Sequence, residues 1–451
     1  MTRVAIVGLG KLGAPLAAVL ASKGHDVTGI DIRESTAQLV NERIAPVAEP
    51  GLQELISAHG DRLRATTNLE EAAEADISIL LVPTPSSDCG AFLNDHVLAA
   101  TETIAAALAG RSAYHVLVVG STVMPGSCEL QVRPLLEHVS GRRVGETLGL
   151  CYSPEFIALG SVIRDMVTPD MVLIGESDDE AGDALEALYR GVCENDPPVR
   201  RMNLVNAELT KIAVNTYVTM KISYANTVAD ICERLGGADS DTVADALGLD
   251  SRIGPKYLRG ATAYGGPCFP RDNKAFAALA RQVHTEPLLA EATDAVNRIR
   301  IDRLAQMTQS YLTDGDAVGI LGLAYKPGTN VAEESAGVAL AAVLADAGYD
   351  VHVYDPVVDG AAIPELANRV QCSPSFSAIV RECDVIVMTT AWPEFDELPE
   401  DAVTSSAPRR KVVIDCWRRL PESERSSEVD IVRLGQNRDP SLQLHALKES
   451  P

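Results

Sequence analysis

The run Val4-Ala5-Ile6-Val7, followed at once by Gly8-Leu9-Gly10-Lys11-Leu12-Gly13, leaves few folds open to this chain. Four consecutive apolar residues read as a strand buried on both faces, as in a parallel sheet. Ala14 to Lys23 then carries helical apolar spacing, Gly24 ends the helix, and a second strand from Asp26 to Ile30 finishes at Asp31. Strand, glycine turn, helix, second strand and an acid about 20 residues on form a dinucleotide-binding βαβ unit. The turn Gly8, Gly10, Lys11, Leu12 and Gly13 is predicted to hold a pyrophosphate at the helix N-terminus. Gly10 lets backbone approach the phosphates, and Gly13 lets the helix pack close to the sheet. Asp31 is expected to accept hydrogen bonds from a ribose and to repel a 2′-phosphate, which favours NAD over NADP.

Further strands are predicted at Ile77 to Val82 and Tyr114 to Val119, each ending in a loop. In a doubly wound sheet, ligands sit beyond the carboxyl ends of the strands. The hydroxyls of Thr84, Ser121 and Thr122 are therefore candidates for the cofactor and reaction cleft, and equally for ordinary loop and cap hydrogen bonds. Ser153-Pro154-Glu155-Phe156 puts a carboxylate in a loop at the edge of the same cleft.

A second constellation lies at Tyr264-Gly265-Gly266-Pro267-Cys268-Phe269-Pro270-Arg271-Asp272. Glycines and prolines hold the thiol on a tight, exposed bend, with Asp272 four residues beyond. A single cysteine in a turn is more often a small buried hydrophobe, but this one follows an NAD fingerprint. Between them, a helical pattern from about Leu204 to Leu235 places Glu208, Lys211, Asn215, Thr219 and Ile222 along one face. Lys211 and Asn215, one turn apart, suit an oxyanion clamp. The alternative is a surface Glu208–Lys211 ion pair with Asn215 satisfied inside a bundle. This helix, one from Asp272 to His284 and one after Leu288 make a helical middle section of the kind that builds dimer interfaces.

Near Asp316 a second α/β unit begins, a degenerate repeat of the first. Ala317 to Gly322 parallels the opening strand, and Asp350 to Asp355 parallels Asp26 to Asp31. Its turn, Gly322-Leu323-Ala324-Tyr325-Lys326-Pro327, lacks the glycine fingerprint, so a ligand other than the dinucleotide is expected, with Lys326 and Arg418 holding phosphates. The polar tail beyond Leu434 is expected to fray. The fold class is therefore α/β: two Rossmann-like doubly wound domains (1–203 and 301–451) joined by a central helical region (204–300).

A formal charge of −24 argues against nucleic acid and anionic membrane surfaces as partners. The nine cysteines form no CxxC pair, which suggests neither a metal site nor a disulfide framework. No signal peptide precedes the first strand and no apolar run reaches membrane-spanning length, so a cytoplasmic protein is expected.

NAD with an activated cysteine suggests oxidation through a covalent carbonyl adduct. An alcohol loses one hydride to become an aldehyde, the Cys268 thiolate adds to it, and the thiohemiacetal loses a second hydride to give a thioester that water hydrolyses. Lys211 and Asn215 would steady the oxyanion, while Asp272, Glu155 and Thr122 would position water or move protons.

These residues closely resemble the UDP-glucose/GDP-mannose dehydrogenase family across nearly the whole chain. The likeness covers Gly8 to Gly13, Glu49-Pro50-Gly51-Leu52, Pro83-Thr84-Pro85, Ser121 to Gly126, Ser153 to Phe156, the Lys211/Asn215 helix, Gly265 to Asp272, Gly322 to Thr329 and Asp415 to Arg418. The resemblance implies NAD-dependent oxidation of a nucleotide sugar at C6 to the uronic acid, and a homodimer or higher homo-oligomer. It implies catalytic roles for Cys268, Lys211, Asn215 and Asp272, with Glu155 and Thr122 assisting. Arg271 would join the cofactor site. Phe156, Ile157, Ala158, Leu159, Lys211, Tyr257, Gly265, Lys326 and Arg418 would bind the substrate, and Arg252 would reach into a partner subunit's sugar site. The stretch Asp250 to Leu258 is more similar to the UDP-glucose branch than to the GDP-mannose one. Ala158, Leu159, Pro267, Arg271 and Asn330 depart from the common pattern and leave the sugar open among UDP-glucose, UDP-N-acetylhexosamines and GDP-mannose.

Overall fold

The computed structural model describes residues 1–399, 403, 411–421 and 429–437. The chain divides into two compact units: Met1–Val214 with Ala278–Thr285, and Asn215–Ala277 with Glu286–Pro451. Each unit is built on one sheet.

The first sheet comprises β1 (Arg3–Val7), β2 (Asp26–Ile30), β3 (Leu63–Thr66), β4 (Ile77–Leu80), β5 (His115–Val119), β6 (Leu148–Tyr152), β7 (Val172–Glu176) and β8 (Val199–Asn203), in the order β3-β2-β1-β4-β5-β6-β7-β8. Val4 and Ile6 enter the core on one face, Ala5 and Val7 the core on the other, as strand alternation requires. Apolar side chains on both faces explain why these strands read as unbroken hydrophobic runs. Strands β1 to β6 are parallel, but β7 meets β6 antiparallel, with Cys151 opposite Glu176. The β6–β7 connection carries only the short helix Val162–Val167, and an antiparallel neighbour needs no crossover of full length.

The second sheet comprises β9 (Ala317–Leu321), β10 (Asp350–Tyr354), β11 (Gln371–Cys372), β12 (Val385–Met388), β13 (Lys411–Asp415) and β14 (Val429–Arg433). Its order β11-β10-β9-β12-β13-β14 repeats that of the first six strands. The repeat extends to hydrogen bonds. Gly8 N–H donates to Ile30 O at 2.7 Å, and Gly322 N–H to Tyr354 O at 2.8 Å. A Cβ on Gly13 would collide with the Gly8 carbonyl, and one on Gly337 with the Gly322 carbonyl. The second unit thus keeps the close-packing glycine at Gly337, displaced by an inserted loop that contains Lys326.

The helix Leu204–Cys232 passes from the first unit into the second. In the second unit its end is bound to the helix Leu288–Tyr311 through buried charges. Arg300 donates to the Ala261 carbonyl at 2.6 Å and pairs with Asp230, while Arg303 pairs with Asp230 and with Glu233 at 3.0 Å. Burial of these charges is tolerable because each has opposite charges or carbonyls around it. Glu233 also accepts the Gly435 N–H at 2.9 Å, and Asn437 exchanges backbone hydrogen bonds with Gly237 and Ala238. Fraying therefore does not begin at Leu434, since residues 435–437 are held. The rest of the tail, 438–451, lies outside the described residues.

Candidate active site

In the first unit the helix Gly13–Ser22 has no side-chain cap at its N-terminus, and a Cβ at Gly10 would meet nothing within 4 Å. An uncapped helix start beside open space is the cradle a pyrophosphate needs, and the residues fit a dinucleotide there. Asp31, 8% exposed, accepts the Leu9 N–H through Oδ2 at 3.0 Å and the Arg33 N–H through Oδ1 at 2.9 Å. The counterpart acid in the second unit is more fully engaged. Asp355 accepts from Leu323, Ala324 and Trp392 through Oδ2 and from Val357 and Val358 through Oδ1. It is committed to the protein, a physical reason for that unit not to read a ribose in the same way.

The loop hydroxyls are less available than their positions suggest. Thr84 Oγ1 donates to the Thr122 carbonyl at 2.8 Å, and Ser121 Oγ to the Val82 carbonyl at 2.7 Å. Thr84 and Ser121 fasten two loops together rather than offering both hydroxyls to a ligand, whereas Thr122 is half-buried. Glu208 is also not a surface residue. It is fully buried, and its carboxylate accepts the N–H groups of Gly126 at 2.5 Å and Cys128 at 2.8 Å. The surface ion pair with Lys211 does not form, and Glu208 anchors the loop after Ser121.

Lys211, 8% exposed, donates from Nζ to the Glu155 carbonyl at 2.7 Å and lies 4.6 Å from the centre of the Phe156 ring. Glu155 Oε1 in turn accepts from Tyr189 Oη at 3.2 Å. Burial pushes the Glu155 carboxyl above the ordinary carboxylate value, against the opposing effects of the Tyr189 hydrogen bond and the Lys211 charge. The following loop is pinned at several points. Ile157 and Leu159 are half-buried against the core, and Ala158 N–H donates to Asp165 at 3.1 Å. Glu49 receives the Gly160 and Val162 N–H groups at 3.1 and 2.7 Å. Tyr189, Asp165 and the role of Glu49 escape sequence reasoning because nothing in their spacing marks the loop they hold.

In the second unit Cys268 is exposed and immediately precedes the helix Phe269–Gln282. Its carbonyl receives the Asp272 N–H at 2.8 Å, so the thiol stands at the positive end of the helix dipole. Asn215 Nδ2 donates to Asp272 Oδ2 at 2.6 Å, both residues being buried. Arg271 is half-buried on the first turn of the same helix. A Cβ on Gly265 would strike the Glu334 carbonyl, and one on Gly266, at φ +82°, the Tyr325 ring. Gly266 N–H also donates to the Glu333 carbonyl at 3.0 Å. The two glycines are thus required by the inserted loop that packs on them. Lys326 is half-buried beside Tyr325. Tyr257, at φ +63°, sets its ring edge-on to Phe269, and Arg252 is 86% exposed and paired with Asp250 at 2.6 Å.

Arg418 departs from its expected role. Its side chain is 5% exposed, with Nε and Nη2 bonded to Asp241 at 2.7 and 3.0 Å and Nη1 to the Gly260 and Leu434 carbonyls. A guanidinium so occupied clamps the fold together and is not presented to a phosphate.

Three family models match consecutive parts of the chain. The UDP-glucose/GDP-mannose dehydrogenase family NAD binding domain matches residues 2–193, its central domain 205–299 and its UDP binding domain 319–422. The chain belongs to the UDP-glucose/GDP-mannose dehydrogenase family. Among similar members of this family, a UDP-glucose 6-dehydrogenase of Haloferax volcanii is 36% identical, the match covering 91% of this chain and 96% of the relative. A GDP-mannose 6-dehydrogenase of Pseudomonas savastanoi pv. phaseolicola is 32% identical over 92% of this chain and 95% of its own. The structure of a UDP-glucose dehydrogenase from Pyrobaculum islandicum superposes with a TM-score of 0.86 at 31% identity, covering 97% of this chain and 98% of that one. As a member of the UDP-glucose/GDP-mannose dehydrogenase family, the protein is an oxidoreductase that uses NAD to oxidise a nucleotide sugar. The matched NAD binding domain contains the Gly8–Gly13 turn and Asp31.

Proposed function

We propose that this dehydrogenase oxidises UDP-glucose at C6 to UDP-glucuronate, removing four electrons as two hydrides. The observation that carries the covalent route is an exposed thiol at a helix N-terminus, with the buried Asn215–Asp272 pair on the same unit. The choice of sugar is supported by relatives named UDP-glucose dehydrogenases at 36% and 31% identity, against 32% for a GDP-mannose enzyme.

In this reading residues 1–203 hold NAD through Gly8, Gly10, Lys11, Leu12, Gly13 and Asp31. NAD, when bound, accepts hydride from the C6 carbon. The Cys268 sulfur forms a bond to the aldehyde carbon, and that bond breaks when water delivers its oxygen to the thioester and the thiol is released. Lys211 and Asn215 hold the oxyanion, Asp272 keeps the Asn215 carboxamide oriented, and Glu155 takes the proton from water. Residues 301–451 bind the nucleotide, with Lys326 rather than Arg418 as the cation for its phosphates.

The central region is read as a homodimer interface. Tyr217, Tyr224 and Ile231 are exposed at seven-residue intervals on one helix, which places large apolar groups along one face. Arg252, exposed and paired with Asp250, would exchange that partner for the sugar site of a second subunit. No two of the nine cysteines, all among the described residues, are joined by a disulfide, as suits a reducing cytoplasm.

The test is to supply NAD with UDP-glucose, GDP-mannose or a UDP-N-acetylhexosamine, count NADH per sugar and identify the product by mass. Two NADH and UDP-glucuronate are expected, and Cys268→Ser should bind both ligands yet form little acid. Near-normal acid production by that variant would overturn the covalent route.

A further inference from the structure

The Glu155 carboxyl ends a short chain of hydrogen bonds. Tyr189, on the helix Asp179–Val192, places Oη 3.2 Å from Glu155 Oε1. Ser153 Oγ lies 3.2 Å from the same Oη and donates to the Leu173 carbonyl at 2.9 Å. With the carboxylate ionised, Tyr189 donates to Oε1. With it protonated, the carboxyl O–H points to Tyr189 Oη, the phenol hydrogen turns to Ser153, and the Ser153 hydrogen stays on the Leu173 carbonyl. Adding one proton to the carboxyl and turning the one phenol hydroxyl converts the first arrangement into the second, and no heavy atom moves. Beside the chain lies a cavity of about 20 Å³, lined by Ser153, Glu155, Phe156, Asp165, Leu173 and Tyr189, enough for about one water.

We propose that Tyr189 is a positioning residue for Glu155, fixing the orientation of its carboxyl and giving it a hydrogen-bond partner whether ionised or protonated. The proposal rests on the reading of Glu155 as the group that takes a proton from water. The other titratable groups around this carboxyl are the Lys211 ammonium on the helix Leu204–Cys232, the Asp165 carboxylate across the cavity, and the Cys193 thiol, whose ionisation burial and the Glu155 charge oppose. Tyr189 stays a donor throughout, because burial and the neighbouring Glu155 charge hold its hydroxyl well above the ordinary phenol value. A tyrosine present only to fill the core would be replaceable by phenylalanine without effect on the carboxyl.

Tyr189→Phe, Ser153→Ala and Glu155→Gln would be compared by infrared titration of the carboxyl C=O band and by the pH profile of kcat with NAD and UDP-glucose. Glu155→Gln identifies the band by its loss. Removing the donor to a buried carboxylate disfavours the charged form, so Tyr189→Phe should titrate about one pH unit higher. The acid limb of kcat should move with it, and the alkaline plateau should be largely kept. Ser153→Ala removes the acceptor that the phenol hydrogen uses only when the carboxyl is protonated, so it should titrate lower, the opposite of Tyr189→Phe, and it decides the matter should Tyr189→Phe not fold. A band that titrates unchanged in these variants overturns the proposal, whatever the rates. An acid limb that survives in Glu155→Gln overturns instead the reading of Glu155 on which the proposal rests.

Discussion

Asn215 Nδ2 donates to Asp272 Oδ2 at 2.6 Å inside the second unit, with neither side chain open to water. The bond ties the carboxamide to the helix that begins one residue after Cys268, so the thiol turn and Asn215 are fixed in a common register. Asn215→Ala is expected to lower kcat about 10²–10³-fold, the usual effect of losing one preorganised oxyanion donor. Stability should fall by about 1–3 kcal/mol, because Asp272 loses a buried partner. Steady-state kinetics and urea unfolding separate the two effects, and lost stability with full kcat would make the carboxamide purely structural.

Cofactor choice should depend on Asp31. One of its oxygens is held by Leu9 N–H and the other by Arg33, whose side chain is 63% exposed and brings Nε within 3.3 Å. Asp31→Ala removes the ribose acceptor and leaves Arg33 to meet a 2′-phosphate. We expect NAD affinity to weaken about tenfold, the loss of one hydrogen bond to a charged group, and the NAD/NADP ratio of kcat/KM to fall with it. An unchanged ratio would move the ribose contact elsewhere.

Glu155 should make stability depend on pH. Its carboxyl titrates higher in the folded protein than in the unfolded chain, so the native state binds the extra proton. Its contribution is complete below the unfolded value, about 4.3, and is lost as pH rises through the higher folded value. Glu155→Gln lacks this loss. Its Tm relative to the parent should therefore climb as pH rises above about 4, as read by calorimetry. A Tm difference that stays flat with pH would contradict the assignment.

A chain of formal charge −24 repels itself at low ionic strength. Raising salt from about 0.1 to about 1 M shortens the Debye length from about 10 to about 3 Å, and Tm should rise by several degrees. Local pairing works against the effect, as where Arg201 binds Glu176 and Asp183 together. A Tm that falls with sodium chloride would show that such pairs outweigh the net repulsion.

What could be read from the sequence follows a physical line. Val4 to Val7, the glycine turn and Asp31 are local, and local pattern fixes strand, turn and helix before any tertiary contact forms. The second unit was visible as a repeat for the same reason. Its displaced Gly337 was not, because it stands at the fifteenth position after Gly322 and only packing against the Gly322 carbonyl reveals its role. The reversal of β7 against β6 was equally hidden, since strand direction depends on how a connection returns. Arg418 carries no local mark of its commitment to Asp241, 177 residues away. The Glu155 environment depends on Tyr189, 34 residues further on. Thr84 and Ser121 stand on the loops that follow β4 and β5, but a hydroxyl's rotamer is decided by neighbours that the sequence does not name.

The contact of Gly265 and Gly266 with Glu333, Glu334 and Tyr325 has a bearing on redesign. A side chain cannot be added to either glycine unless the inserted loop moves, and the loop cannot be exchanged for a bulkier one without disturbing the bend that carries the thiol. Grafting a relative's loop to change the nucleotide accepted would therefore have to bring that relative's thiol bend as well, the two segments travelling as one cassette although some sixty residues of chain lie between them.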